Sequence, residues 1–519
     1  MPRRIVDLDR LTAAAVRDGA LEGRSVTVLG LARSGVALAR FFADAGARVT
    51  VYDRRSADDL APAVESLGGR AVGLRLGPDV EPASTWSAAD LIATSPSINP
   101  DFPIADQELR DALRAIADAH RVDPSGTPAL VSEVDLVLRL CPCPTIGVTG
   151  TKGKTTTASL TAALLDGDPA HPVVLGGNMG TPIVERLPEL TPQHRVVIEL
   201  SELQLPTLSR GTTVALYTNV TADHLDRHGS LEAYRRVKRR LAELLEKDGA
   251  LVLNADDPVV SGYAPLGEAQ VVTYRRSRPA PGGIGVEDGW IVAADVKRLA
   301  MVGGGVAQAG PGGRLLPIAE LAIPGEHNVS NAMAAAAAAL LFGVPPEAIR
   351  RAAGAFTGVE HRLEQVAIVD GVRFVNDSQG TQPDAVIAAL RSFPRPLVLI
   401  AGGRDKGVDL AGLGPVAAER ADAAVLIGES GPTLAEMFKA AGMTRVELAQ
   451  TLEEAVDRAD VIARGLLSDD GSGRSPATVL LSPAAASFDM FLDYAARGRA
   501  FKVAVAALAA RRRTLGAVR

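Results

Sequence analysis

The sequence predicts an α/β protein of three doubly wound, mostly parallel domains in series. Three observations predict it. Short β-branched runs alternate with amphipathic stretches along the chain, the pattern of strand–helix–strand units. The alternation breaks and restarts twice, first at the polar, Pro-containing "HRVDPSGTP" (120–128) and again after an Ala-rich stretch ending near 356. The length, 519 residues, suits about three domains. The expected domains are 1–128, 129–356 and 357–519.

In the first section, "SVTVLG" (25–30), "RVTVYD" (48–53) and "DLIATS" (90–95) read as strands, with "SGVALARFFADAG" as the helix after the first. In the second, "TIGVTG" is a strand and "KTTTASLTAALL" a helix, followed by strands at 195–200, 213–220 and 250–256. The Gly- and Pro-rich region 276–317 reads as hairpins and loops. "HNVSNAMAAAAAALLFG" is an Ala-rich helix. The third section places strands at 373–377, 396–403, 423–430 and 477–483. No shorter internal repeat is visible.

Composition narrows the function. Hydrophobic residues make up 47% and aromatics only 4%, so Leu, Val and Ala must do most of the packing. A net charge of −6 argues against a general nucleic-acid or membrane-surface binder. No apolar run reaches the roughly eighteen residues of a membrane span. The start, "MPRRIVDLDRL", lacks the apolar core of a secretion signal, and the cytoplasm is the expected compartment. The two cysteines, Cys141 and Cys143, cannot build a disulfide framework or a four-thiol metal site, and they read as small buried hydrophobes. Of 55 basic residues only eight are lysine, so a retained lysine is more often chosen for its chemistry. Arginine stays charged, whereas lysine can lose its proton and react.

The segment "GTKGKTT" stands between a strand and a helix, where backbone N–H groups and the positive helix end bind anions. Gly150 and Gly153 permit close approach, Lys154 would reach β and γ phosphates, and Thr155 would face Mg²⁺. The spacing departs from the strict phosphate-loop pattern, because Val148 occupies the place of the first glycine. An ordinary glycine turn is the bland reading, but GK followed by three threonines favours a nucleotide. Glu199, at the end of a predicted strand, is a candidate Mg²⁺ ligand or else a solvated acid. "TNVTADHLDRHGSLEAYRRVK" brings His224, able to ligate metal or carry a proton, and Lys238, a lone lysine among arginines. Asn328 and Asn331 open the Ala-rich helix, where they could read a ligand or simply cap it.

Together "VTGTKGKTT", "IELSELQL", "TNVTADHLDRHGSLEAYRRVK" and "IPGEHNVSNAMAA", with "EHRLE" beyond them, resemble the Mur ligase family of ATP-dependent amide-forming enzymes. The resemblance spans nearly the whole chain. "LGLARSGVALA", "TSPSI", "NDSQGT", "AGGRDKG" and "LLSPAAASFDMF" place it nearest the branch that joins D-glutamate to UDP-N-acetylmuramoyl-L-alanine. It implies a Rossmann-like UDP-binding domain, a P-loop-like ATPase domain and a Rossmann-like amino-acid domain. Gly150, Thr151, Lys152, Gly153, Lys154, Thr155 and Thr156 would bind the ATP phosphates, and Asn328, Asn331, Arg362 and Asp377 would also contact ATP. Thr155, Glu199, His224 and Lys238 would hold Mg²⁺, two ions in all, with Lys238 carbamylated by CO₂. Lys154, Lys238 and His224 would be catalytic. Ser34, Gly35, Asp53, Ser95 and Asn178 would meet the UDP substrate. Thr381, Lys406, Ser487, Phe488 and Tyr494 would surround the amino acid.

Two positions depart from the family. Gln379 stands where lysine is usual, so a charged contact to the incoming glutamate must come from elsewhere, such as Lys406. Ser97 replaces a usual glycine. Gln379 keeps a sibling ligase that adds L-glutamate open as an alternative. An oxidoreductase is the other, because "GLARSG" resembles a dinucleotide fingerprint, although it lacks the middle glycine. The expected partners are small molecules only, and the expected state is a monomer.

Overall fold

The computed structural model describes residues 5–100, 107–223, 225–264, 268–323, 325–404, 410, 412–470, 476–487, 489–491 and 493–517. The chain divides into two compact units after Phe356.

The first unit holds two sheets. One is all parallel, built from β1 (Ser25–Leu29), β2 (Arg48–Asp53), β3 (Val72–Leu76), β4 (Leu91–Thr94) and β5 (Ala129–Ser132) in the order β3-β2-β1-β4-β5. Residues 120–122 are still helical, in Gln107–Val122, and β5 pairs with β4. The first sheet therefore runs past residue 128.

The second sheet contains β6 (Thr145–Thr149), β7 (Val173–Gly177), β8 (Arg195–Glu199), β9 (Val214–Tyr217), β10 (Ala250–Asn254), β11 (Gln270–Tyr274), β12 (Ile284–Glu287), β13 (Trp290–Ala293) and β14 (Arg314–Pro317). Its order is β14-β13-β12-β11-β10-β9-β6-β8-β7. β7 through β12 pair in parallel, and the last two strands add antiparallel hairpins. Those hairpins fall in the Gly- and Pro-rich region, where frequent glycines supply the turns.

The second unit is built on β15 (Glu364–Val369), β16 (Val372–Asn376), β17 (Leu397–Gly402), β18 (Ala423–Ile427), β19 (Val446–Leu448) and β20 (Ala477–Leu481), ordered β15-β16-β20-β17-β18-β19. Only β15 is antiparallel.

Parallel strands covered on both faces need continuous apolar runs, and β6, β8, β9, β17, β18 and β20 are buried at every residue. Burying one such Val, Ile or Leu contributes about 1.5–3 kcal/mol before chain entropy is charged against it. The helix Glu326–Leu341 is buried from Asn331 to its end and packs on Lys154–Leu165. Alanine suits this contact because it lets two helix backbones approach closely. This packing fixes the start of both helices beside the end of β6. Cys143 is buried as expected, but Cys141 is only half-buried, and the two free thiols touch at 3.4 Å. Among the described residues no helix is long and apolar enough to cross a membrane.

Candidate active site

β6 ends at Thr149 and the helix Lys154–Leu165 begins four residues later, so 150–153 form a tight turn. Gly150 has φ +145° and Gly153 φ +84°, conformations that side chains resist. A Cβ at Gly150 would lie 2.0 Å from Thr218 Oγ1, and one at Gly153 2.8 Å from Asn331 Oδ1. The turn is tied to the chain leaving β9. Thr151 N–H donates to the Asn219 carbonyl (2.7 Å), and Lys152 N–H donates to Asn219 Oδ1 (2.9 Å). Asn219 Nδ2 and Thr218 Oγ1 both donate to the Lys152 carbonyl, at 2.9 and 2.7 Å. Lys154 Nζ folds back to donate to the Thr151 carbonyl (2.9 Å), which keeps its charge over the turn. No side chain caps the helix at Gly153, so its positive end faces the same space. Thr155 is buried in that first turn, Thr156 is half-buried and Lys152 is exposed. Thr157 Oγ1 donates to Asn331 Oδ1 (3.1 Å), and Asn331 Nδ2 donates to Asn328 Oδ1 (3.0 Å). The two asparagines thus stand against the glycine turn.

Two ionisable groups are buried beside the turn. Glu199 ends β8 and is 1% exposed. Its Oε1 accepts from Asn178 Nδ2 at 3.0 Å, while its buried Oε2 finds no hydrogen-bond partner. A buried carboxylate oxygen without a donor is costly unless a cation meets it. Lys238, on the helix Leu231–Glu243, is 0% exposed, with Nζ 3.4 Å from Thr149 Oγ1 and 5.5 Å from the centre of the Tyr234 ring. Burial, and then the charge of Lys154, pull the Lys238 amine down to about 7, against the attraction of Glu202, Glu199 and Asp223. Tyr217 Oη donates to the Lys238 carbonyl (2.8 Å) and accepts from Ala242 N–H (2.9 Å), which locks this helix turn against β9. Among the described residues no three His, Cys, Asp or Glu side chains gather into a metal cage. A metal here would instead draw on Glu199 and on groups brought by ligands or by modification of Lys238. His224 lies outside the described residues.

In the first sheet, Gly30 (φ +85°) follows β1, and the helix Arg33–Asp44 starts without a side-chain cap. A Cβ at Gly35 would lie 1.8 Å from the Gly30 carbonyl oxygen, so only glycine lets this helix approach the strand so closely. Ser34 is half-buried in the first helical turn, and the buried Ser95 hydroxyl has no partner. Asp53 is not bare. It accepts from Leu31 N–H (2.8 Å) and is held by Arg55 at 2.7 Å. Burial raises its carboxyl, but those donors outweigh burial and leave it below the usual range. Arg33 donates to the carbonyl of the exposed Asn178 at 3.3 Å, joining this helix start to the Glu199 neighbourhood.

In the second unit, buried Asp377 follows β16, accepting from Ser482 Oγ (2.6 Å) and Leu363 N–H (3.2 Å). Burial pushes its carboxyl up to about 6, against the pull of those donors and of Arg362. Thr381 and Gln379 are half-buried on the same loop, Ser487 is buried after β20, and Tyr494 opens the helix Tyr494–Ala517. Lys406 and Phe488 lie outside the described residues.

Comparison with known proteins follows this division. Residues 148–339 match the family model described as Mur ligase middle domain, and 361–470 match the Mur ligase, glutamate ligase domain. The chain belongs to the Mur ligase family. A relative from Symbiobacterium thermophilum, named UDP-N-acetylmuramoylalanine--D-glutamate ligase, is 37% identical over 93% of this chain and 97% of its own. Relatives of the same name from Acidobacterium capsulatum and Geobacter metallireducens are each 36% identical, over 93% and 94% of this chain and 96% and 98% of theirs.

Sequence reasoning passed over several residues of this Mur ligase. Thr218 and Tyr234 shape the glycine turn through hydrogen bonds that only the fold reveals. Arg55 holds Asp53, and its spacing two residues on was a usable signal. Arg497, 1% exposed, was lost among many arginines.

Proposed function

We propose that this Mur ligase joins D-glutamate to the alanyl carboxylate of UDP-N-acetylmuramoyl-L-alanine, cleaving ATP to ADP and phosphate, in peptidoglycan precursor synthesis in the cytoplasm. One observation carries the ATP chemistry: the turn 150–156, the unpartnered Glu199 Oε2 and the near-neutral Lys238 amine lie together at the ends of β6 and β8. The names of relatives that match along nearly the whole chain support the substrates.

A carboxylate cannot form an amide directly, because its oxyanion leaves poorly. The alanyl carboxylate therefore attacks the γ-phosphorus, giving an acyl phosphate and ADP. The glutamate amine then attacks the acyl carbon, and phosphate leaves. The first step presses two anions together, and two unit charges ~4 Å apart repel by ~4 kcal/mol at an effective dielectric of ~20. Lys154 and the N–H groups of the turn offset that repulsion. Mg²⁺ bound by Glu199 and Thr155, with His224 completing the set, would add charge neutralisation at the phosphates. Lys238, buried and close to neutrality, is suited to form an N–C bond with CO₂ and release a proton, becoming an anion. Ser34, Gly35, Ser95 and Asn178 take the UDP substrate, with the unpartnered Ser95 hydroxyl as a donor to it. Asn328 and Asn331 hold ATP in the first unit. Thr381, Lys406, Ser487, Phe488 and Tyr494 hold the amino acid. Three functional parts follow, for the UDP substrate, ATP and the amino acid, with β5 assigned to the first.

Purified enzyme given ATP, Mg²⁺ and the UDP-muramoyl-alanine acceptor should release phosphate with D-glutamate and not with L-glutamate. Turnover with L-glutamate alone would assign the chain to a sibling specificity, which Gln379 leaves chemically accessible.

A further inference from the structure

Arg497 sits in the first turn of the helix Tyr494–Ala517, where the helix dipole disfavours a cation. Asp493 accepts from Ala496 N–H (2.6 Å) at the start of this helix, so the turn has its own anion without Arg497. Yet Arg497 is 1% exposed, and burial holds its pKa below the ordinary value, with the charge of Asp489 offsetting this only in part. Its partners are main chain and one hydroxyl. Nε donates to Ser378 Oγ (3.0 Å). Nη1 donates to the carbonyls of Ala485 and Ala486, both at 3.3 Å. Nη2 donates to the carbonyls of Ser378 (3.0 Å) and Ala485 (3.3 Å). Ser378 Oγ in turn donates to the Tyr494 carbonyl (2.7 Å).

These contacts join three segments at one point, and the first two are also tied by Ala484 N–H to the Gly380 carbonyl (2.9 Å) and by Ser482 Oγ to Asp377 (2.6 Å). The loop after β16 carries Gln379 and Thr381, beyond Asp377, whose carboxylate is held separately by Ser482 Oγ and Leu363 N–H. The loop after β20 carries Ser487. The helix start carries Tyr494. A third loop is wedged against the loop after β20 and against Arg497 itself: a Cβ at Gly403, after β17, would lie 3.1 Å from Arg497 Nη1 and 2.2 Å from the Ala486 carbonyl oxygen. β16, β20 and β17 are parallel neighbours, so all three loops leave their carboxyl ends, where open α/β sheets bind ligands. A guanidinium has five N–H donors, and the bonds above occupy all five. None remains for a substrate carboxylate.

The geometry points to Arg497 as a positioning residue for the amino-acid substrate: it fixes the loops after β16 and β20 as one rigid cradle without touching the ligand itself. This rests on the amino-acid role proposed above for these loops. Lysine keeps the charge but offers three donors from a single point, which cannot reach carbonyls on two loops in this fork geometry.

The test is steady-state phosphate release by the full-length enzyme at saturating acceptor, with D-glutamate and ATP varied in turn. Arg497→Lys should raise the KM for D-glutamate about tenfold or more while leaving that for ATP within about twofold. Ser378→Ala removes only the Nε acceptor and the link to Tyr494. It should raise the D-glutamate KM about threefold or more, as two lost hydrogen bonds imply, and it carries the test if Arg497→Lys does not fold. Unchanged D-glutamate KM values, or KM values for ATP and D-glutamate rising together, overturn the assignment. Absence of D-glutamate turnover in the unsubstituted enzyme overturns the proposed function, and this assignment with it.

Discussion

Lys238 concentrates the chemistry at the scale of one residue. A lysine amine in water titrates near 10.4. Here burial and Lys154 bring it to about 7, so a sizeable fraction is unprotonated and nucleophilic at neutral pH. The unfolded chain binds the Lys238 proton up to about pH 10, whereas the folded chain releases it near 7. Stability should therefore rise with pH between those values, and the cost of burying the charge is fully present below 7. Lys238→Met should flatten this part of the melting-temperature profile. Lys238→Arg should be almost inactive in phosphate release at any bicarbonate concentration, because a guanidinium neither titrates nor takes up CO₂, and normal activity there would remove the carbamate role. The scarcity of lysine made this residue legible in the sequence. Arg497 was illegible for the converse reason: arginine is the chain's ordinary cation, and nothing local marks one whose partners lie on distant loops.

Among elements, most parallel strands inside the sheets were readable and the edges were not. β1, β2, β4, β6, β8, β9, β10, β16, β17, β18 and β20 all announce themselves as β-branched or apolar runs, because both faces are covered. β3, β5, β7, β15 and β19 went unread, each the outermost strand of its sheet, and so did β11, which lies inside the second sheet. β3 is exposed at its three middle residues, so its sequence, "VGLRL", carries a weak signal. The expected boundary at 128 missed β5, which is buried at three of its four residues but follows directly on a polar, Pro-containing stretch. The helix after β1 was readable, but the need for glycine at its third residue became specific only with the 1.8 Å approach to Gly30. Gly35→Ala should push this helix off the strand at a cost of about 1–3 kcal/mol. Titration calorimetry should then show weakened UDP binding with ADP binding retained, and unchanged UDP affinity would place the uridine nucleotide elsewhere.

Across the whole molecule, one rule organises the candidate ligand residues. Gly30, Asp53 and Ser95 lie at the carboxyl ends of β1, β2 and β4. Gly150, Asn178 and Glu199 lie at those of β6, β7 and β8. Asp377, Gly403 and Ser482 lie at those of β16, β17 and β20. Each sheet thus gathers its candidate ligand residues at the carboxyl ends of its strands, where open α/β sheets bind ligands. The account's centre is that the alanyl carboxylate is itself phosphorylated before the amide forms. Acceptor labelled with ¹⁸O in that carboxylate tests this in a single turnover. Mass spectrometry should find one labelled oxygen in the phosphate released with D-glutamate. Phosphate free of label, alongside normal amide product, would contradict the acyl phosphate and the reading of the site built on it.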